Sequence, residues 1–150
     1  MADYFKQREK NVIQNTEYIK EDLPSFCEEF FIGVESHTSP LTRQGYSYDL
    51  RIFFDFLTKK ISYFKGKEIQ DIQLGDLEYI TSHDIELFIS YLSYYTFNGK
   101  EYHNGEKGKA RKVCTLRAFF KYYFNNNELT KDVASKVTGP KQHQKDIIRL

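Results

Sequence analysis

A Ser39-Pro40 pair, followed by apolar residues at Tyr46, Leu50, Phe53, Phe54, Leu57 and Ile61, constrains this chain more than any other feature. Steps of three and four residues put these side chains on one face of an α-helix. Ser39 is suited to cap the helix and Pro40 to occupy its first position, where a missing N–H costs nothing. A helix running from there to about Lys60 reaches roughly 31 Å at 1.5 Å per residue, enough to cross a whole small domain. Ile52 and Phe56 widen the apolar arc, so the helix must be packed on more than one side. The rest of the fold has to be built around it.

Other stretches follow the same period. Leu23, Phe26, Cys27, Phe30, Phe31 and Val34 predict a helix with Pro24 in its first turn. Residues 4–20 predict a more polar helix, with Val12, Ile13 and Ile19 as a thin stripe, so residues 1–22 are expected to form an N-terminal arm or extra helix. Residues 62–80, with Gly66 and Gly75, are expected to be a connector. Thr81-Ser82-His83-Asp84 reads as a capping box, opening a helix to about Tyr95 with Ile85, Phe88, Ile89 and Leu92 inward. Phe97 to Lys100 and His103 to Gly105 have the composition of a polar loop or short hairpin. A last long helix opens near Lys107 to Lys109, lined by Val113, Leu116, Phe119, Phe120, Tyr123 and Phe124 and stopped by Asn125-Asn126-Asn127. A short turn over Lys131 to Val137 and a Gly139-Pro140 break close the domain. The expectation is an all-α bundle of four main helices, with no 20–50-residue repeat that would signal a solenoid.

The composition supports one such domain. The chain has 150 residues, 40% hydrophobic and 17% aromatic, with 29% charged, which excludes an intrinsically disordered polymer. No stretch approaches the roughly 18 uncharged residues of a membrane span, and the start has no signal-like apolar run, so a cytoplasmic, unanchored protein is expected. Cys27 and Cys114 stand far apart without a CxxC or CxxH companion and are expected to be reduced core thiols. His37, His83, His103 and His143 lie in separate segments, with no His or Cys three or four residues away, so neither a metal nor a cofactor is expected. Phosphate-loop, dinucleotide-loop and nucleophile-elbow strings do not occur, and the carboxylate pairs Glu21-Asp22 and Glu28-Glu29 are adjacent rather than facing. Nothing in the chain groups into a catalytic site.

Charge is where the sequence points outward. Residues 1–106 carry 11 Lys/Arg and 18 Asp/Glu, a net of −7, whereas residues 107–150 carry 11 and 3, a net of +8. Between Lys107 and Asn127 there is no acid at all; between Glu68 and Gly99 there are six acids and no base. A purely basic segment attracts polyanions and gains from counterion release, which makes nucleic acid the first candidate. The alternatives are a solvated helix face whose partner is the acidic Glu68–Glu86 stretch of the same chain, and a helical protein-protein interaction module in which that stretch meets the basic helix of another copy.

Two stretches carry a family resemblance. Ser39-Pro-Leu-Thr42-Arg-Gln-Gly-Tyr46-Ser-Tyr-Asp49-Leu50-Arg-Ile-Phe53 is similar to the opening helix of the core-binding domain of tyrosine recombinases, the phage-integrase family, whose pattern is Ser-x-x-Thr-x-x-x-Tyr-x-x-Asp-Leu-x-x-Phe. Lys109-Ala-Arg111-Lys-Val-Cys-Thr115-Leu-Arg117-Ala-Phe119-Phe120 resembles that domain's last helix, and Val133-Ala134…Val137…Pro140-Lys141 its run into the interdomain linker. Ser47 and Tyr48 stand where relatives often carry basic residues, and Val133 where a Pro is common.

The resemblance implies a SAM-like four-helix bundle of the integrase core-binding type over residues 23–140, with residues 141–150 starting the linker. It further implies a double-stranded DNA-binding domain that forms half of a C-shaped clamp on a core site, acting in DNA integration and site-specific recombination. The partners it implies are DNA, the catalytic domain of the same polypeptide and other protomers in a synaptic complex. The family's catalytic residues are an Arg, a His-x-x-Arg and a Tyr nucleophile. None of the four histidines here has Arg at the third position beyond it, so this stretch is not expected to be an enzyme on its own.

Helix geometry then selects candidate DNA contacts. Lys107, Arg111 and Thr115 recur every fourth residue with Lys112 beside them, on a face read as lying away from Leu116 and Phe120. Arg can grip guanine or phosphate with two parallel bonds, while Lys and Thr hold backbone oxygens. Lys109 is a further candidate of the same basic segment, and Arg117 and Lys121 lie toward a flank; Arg117 is equally suited to a structural ion pair. Thr42, Arg43 and Tyr46 sit in the first two turns of their helix, where hydroxyl and N–H groups suit a phosphate, although Tyr46 also continues the Leu50 core stripe. Lys141 belongs to the linker, which in the family tracks DNA.

Overall fold

The computed structural model describes residues 2–139. Five α-helices and one hairpin follow in order: α1 (Ala2–Lys20), α2 (Cys27–Gly33), α3 (Pro40–Lys60), α4 (Ser82–Tyr91), β1 (Tyr95–Phe97), β2 (Lys100–Tyr102) and α5 (Glu106–Asn125), with 3-10 turns at Glu35–His37, Ile69–Asp71 and Leu74–Tyr79. The protein is thus mostly helical. No helix among the described residues is long and apolar enough to cross a membrane.

Helix α3 is the axis. Ser39 caps it by accepting the Thr42 N–H at 3.1 Å, with Pro40 in the first turn. Its Leu50, Phe53, Phe54, Phe56 and Leu57 are buried, matching an arc too wide for one neighbour. α5 packs on one side and brings in Leu116, Phe119, Phe120 and Tyr123. Phe26 and Phe30 close the space between the two helices in a cluster of edge-to-face rings, the arrangement that ring quadrupoles favour. Packing is close enough that a Cβ on Gly33 would lie 2.2 Å from Tyr122 Cε1.

Helix α1 runs along α3 rather than standing apart. Thr16 and Ile19 are buried, Asn15 donates to the Tyr48 hydroxyl at 2.7 Å, and Lys20 pairs with Glu28 at 2.8 Å. Asp22, just beyond α1, pairs with Arg51 at 3.3 Å. Ile13 of the sequence stripe faces outward, while Thr16 is buried with its hydroxyl donating to the Val12 carbonyl.

Several expectations need correction. Regular helix in α2 begins at Cys27, not Leu23: Cys27, Glu28 and Glu29 donate to carbonyls only three residues back, so Pro24 opens a tight turn and Leu23 is buried ahead of the helix. Residues 62–80 do connect α3 to α4, and their 3-10 turns also send Ile72 and Leu77 into the core beside Phe64 and Ile80. α4 ends at Tyr91, because the chain must turn into the hairpin, where Asn98 and Gly99 both have positive φ and form the tight link that matches strand twist. Phe124 lies at the exposed end of its helix, 40% accessible. Of the two cysteines Cys27 is buried and Cys114 exposed, since α5 turns residue 114 away from α3.

Candidate nucleic-acid interface

α5 begins after Gly105 and sorts its residues by phase. Lys107, Arg111, Cys114 and Lys121 face solvent, whereas Lys112, Val113, Thr115 and Leu116 are buried. Two of the polar candidates are therefore inside. The reason is Asp49 on α3, a carboxylate only 2% exposed. Its Oδ2 accepts the Thr115 hydroxyl at 2.7 Å, its Oδ1 accepts Arg111 Nη2 at 2.6 Å, and Lys112 Nζ stands 3.7 Å from that same Oδ1. A buried carboxylate is tolerated when its lone pairs and charge are compensated. Here two cations and a hydroxyl compensate one anion.

The three partners differ in access. The Arg111 side chain is 59% exposed and the Lys112 side chain 7%. Burial holds the Lys112 ammonium below its ordinary value, with Asp49 opposing that shift and Arg111 adding to it. Arg111 thus lies at the mouth of the pair and Lys112 at its floor. A cleft of 310 Å³ opens beside them, walled by Tyr48, Arg51, Phe97, Tyr102 and Asn104. Arg51 lies between two rings, 4.9 Å from the centre of Phe97 and 5.7 Å from Tyr48, which ties the hairpin to α3.

The remaining candidates are distributed differently. Tyr46 is half-buried with its ring 5.5 Å from Phe30, and burial, followed by the neighbouring Cys114, raises its hydroxyl's pKa; it links the first half of α3 to the outer face of α5. Thr42 is exposed beside the Ser39 cap. Arg43 turns back, donating to the Glu35 and Thr38 carbonyls and the Thr38 hydroxyl, so it closes the 35–38 turn. Lys109 donates to the Ser93 hydroxyl at 2.6 Å, joining α5 to the end of α4. Arg117 donates to the Val137 carbonyl, anchoring the C-terminal turn. Lys121 projects into solvent, and Lys141 lies outside the described residues. Among the described residues no group of His, Cys, Asp and Glu could hold a metal ion.

Asp49 is the residue that charge reading passes over. The signal was its position as an isolated acid inside an apolar helix face, four residues before Phe53.

No family model and no solved structure matches the chain. Curated proteins do. A tyrosine recombinase XerC of Caldanaerobacter subterraneus is 30% identical over 146 residues, covering 91% of this chain and 38% of its own length. The proteins of the same name in two Leptospira interrogans strains are 26% identical over 130 residues, covering 85% of this chain and 36% of theirs. The homologues of this chain are tyrosine recombinases. The chain spans somewhat more than a third of the length of these recombinases. The recombinase-like motifs map onto the two helices that meet at Asp49: α3 carries the Ser39 cap, Tyr46 and Asp49, and α5 carries Arg111, Thr115 and the Phe119-Phe120 pair.

Proposed function

We propose that this chain is the DNA-binding half of a recombinase clamp, a core-binding domain that holds double-stranded DNA while a catalytic domain of the same polypeptide carries out strand exchange in site-specific recombination. The observation that carries this reading is the outer face of α5, where Arg111 is steadied from beneath by Asp49 and flanked by exposed Lys107 and Lys121. Without DNA, Asp49 keeps the guanidinium at the surface of α5, and the planar fork of N–H donors it presents there suits phosphate oxygens and guanine edges. The net +8 of residues 107–150 supplies the long-range attraction. In this reading Lys107, Arg111 and Lys121 touch DNA, while Arg43, Lys109 and Arg117 hold the domain together. Other protomers of a synaptic complex are the further partners, in the cytoplasm.

The test is a titration of isotope-labelled chain with a short duplex at two salt concentrations, read by NMR shifts. Shifts on residues 107–121 and 42–46 that fade as salt rises are expected, because phosphate binding releases counterions. Lys107→Glu with Lys121→Glu should weaken binding while leaving helicity intact. Absence of shifts at low salt refutes the reading. A salt-sensitive dimer indifferent to DNA would replace it with the interaction module.

A further inference from the structure

We propose that Lys112 is a positioning residue for Arg111: when Arg111 leaves Asp49 to grip a DNA phosphate, Lys112 takes over the vacated carboxylate oxygen. This rests on the DNA-binding reading and goes beyond it, because it assigns a role to a basic residue that cannot itself reach the duplex.

Three observations carry it. Arg111 and Lys112 address the same oxygen of Asp49, one at 2.6 Å and the other at 3.7 Å, so one bond is made and the second is within a small side-chain movement of being made. The other oxygen is held by Thr115 at 2.7 Å, which stops the carboxylate from rotating to follow Arg111. Exposure differs in the sense an exchange requires, with the departing cation at the surface and the replacement at the floor. Without a replacement, releasing Arg111 would leave a buried carboxylate uncompensated, a strongly unfavourable state. With one, the pocket stays neutralised and Arg111 is available to DNA.

Salt dependence separates this from direct contact. The full chain is titrated with a duplex of about 30 base pairs over a salt series; each phosphate contact contributes about 0.9 to the slope of log affinity against log salt. Arg111→Gln should lower the slope by about that amount. Lys112→Met should reduce affinity at every salt concentration by at least about tenfold, the lower end of couplings between close charge pairs, with the slope unchanged. Adding Asp49→Asn to Lys112→Met should restore most of that loss, since no buried charge then needs a partner. A Lys112→Met slope lower by about 0.9, or no rescue by Asp49→Asn, overturns the exchange while leaving the DNA-binding reading intact. If Lys112→Met alone does not fold, Asp49→Asn is compared with the double variant: equal affinities support the exchange and a weaker, flatter double variant overturns it. A wild-type chain with no salt-dependent affinity overturns both readings.

Discussion

Truncating Phe119 to Ala tests the arrangement of the core most directly. The ring has no solvent exposure and stands 5.2–6.4 Å from the centres of Phe26, Phe30, Phe54, Phe120 and Tyr123. Removing it forfeits a transfer free energy of about 2–3 kcal/mol and leaves a cavity bordered by rigid rings that cannot collapse. The combined loss should be about 3–5 kcal/mol. At about 2–4 °C per kcal/mol for a chain of this size, the melting temperature should fall by about 6–20 °C. The control is Phe124→Ala, five residues on in the same helix: with 40% of its surface in water it should cost about 1 kcal/mol, well below the loss at Phe119. Thermal unfolding followed by circular dichroism, with denaturant titration for the free energies, reads both. Similar losses at the two positions would refute the phase assigned to α5. Should Phe119→Ala be unfolded at room temperature, Phe119→Leu keeps most of the volume and should still cost more than Phe124→Ala.

Thiol chemistry should separate the two cysteines. Burial pushes the Cys27 thiol far above its ordinary value while Cys114 is exposed, so a disulfide reagent should modify Cys114 alone in the native protein and both after denaturation; rapid native labelling of a Cys114→Ser variant would contradict the packing of α2. The Leu74–Tyr79 turn should respond to acid. Asp76 accepts the Gln73 N–H at 2.8 Å and the Tyr63 hydroxyl at 2.7 Å; partial burial favours its protonated form, but these bonds and Lys67 outweigh it and hold the carboxyl below its ordinary value. A depressed folded value means stability that is present above the unfolded value, near 4, and lost as pH falls through the folded one. The advantage of wild type over Asp76→Asn should therefore shrink below about pH 4, and an advantage unchanged at pH 2 would rule the carboxylate out. In the same variant the Tyr63 hydroxyl, pushed up to about 12 chiefly by its bond to Asp76, should ionise near the usual value of about 10, as read by ultraviolet titration.

Local signals were legible and long-range ones were not. The Ser39 and Thr81 caps are fixed by residues three apart, and the structure shows both. The apolar stripe of α3 needed only the helical period. The start of α2 escaped because a 3-10 turn uses the same residues as a helix with a different hydrogen-bond step, and the 62–80 segment because its apolar residues follow neither helical nor strand spacing. The Asp49 cluster joins residues 62 and 66 positions apart; helix phase alone placed Thr115 outward, since a hydroxyl normally prefers water, and only a carboxylate arriving from another helix makes its inward position favourable. The hairpin was half visible, through Asn98-Gly99, but nothing in the sequence marked Arg51 as the side chain that docks it. Lys107, Lys109 and Lys121 carry the same charge, and nothing in the sequence names a partner for any of them. One of them is tied to Ser93, and that is a property of the α4–α5 junction rather than of α5.

The contact between Gly33 and Tyr122 has a consequence for descent. A single added carbon at position 33 would meet the outer end of the ring at 122 and displace it, so the two positions are coupled. An alanine at 33 requires the tyrosine at 122 either to swing its ring aside or to give way to something smaller. Across related sequences the pair should vary together, leaving a historical trace of how α2 and α5 meet.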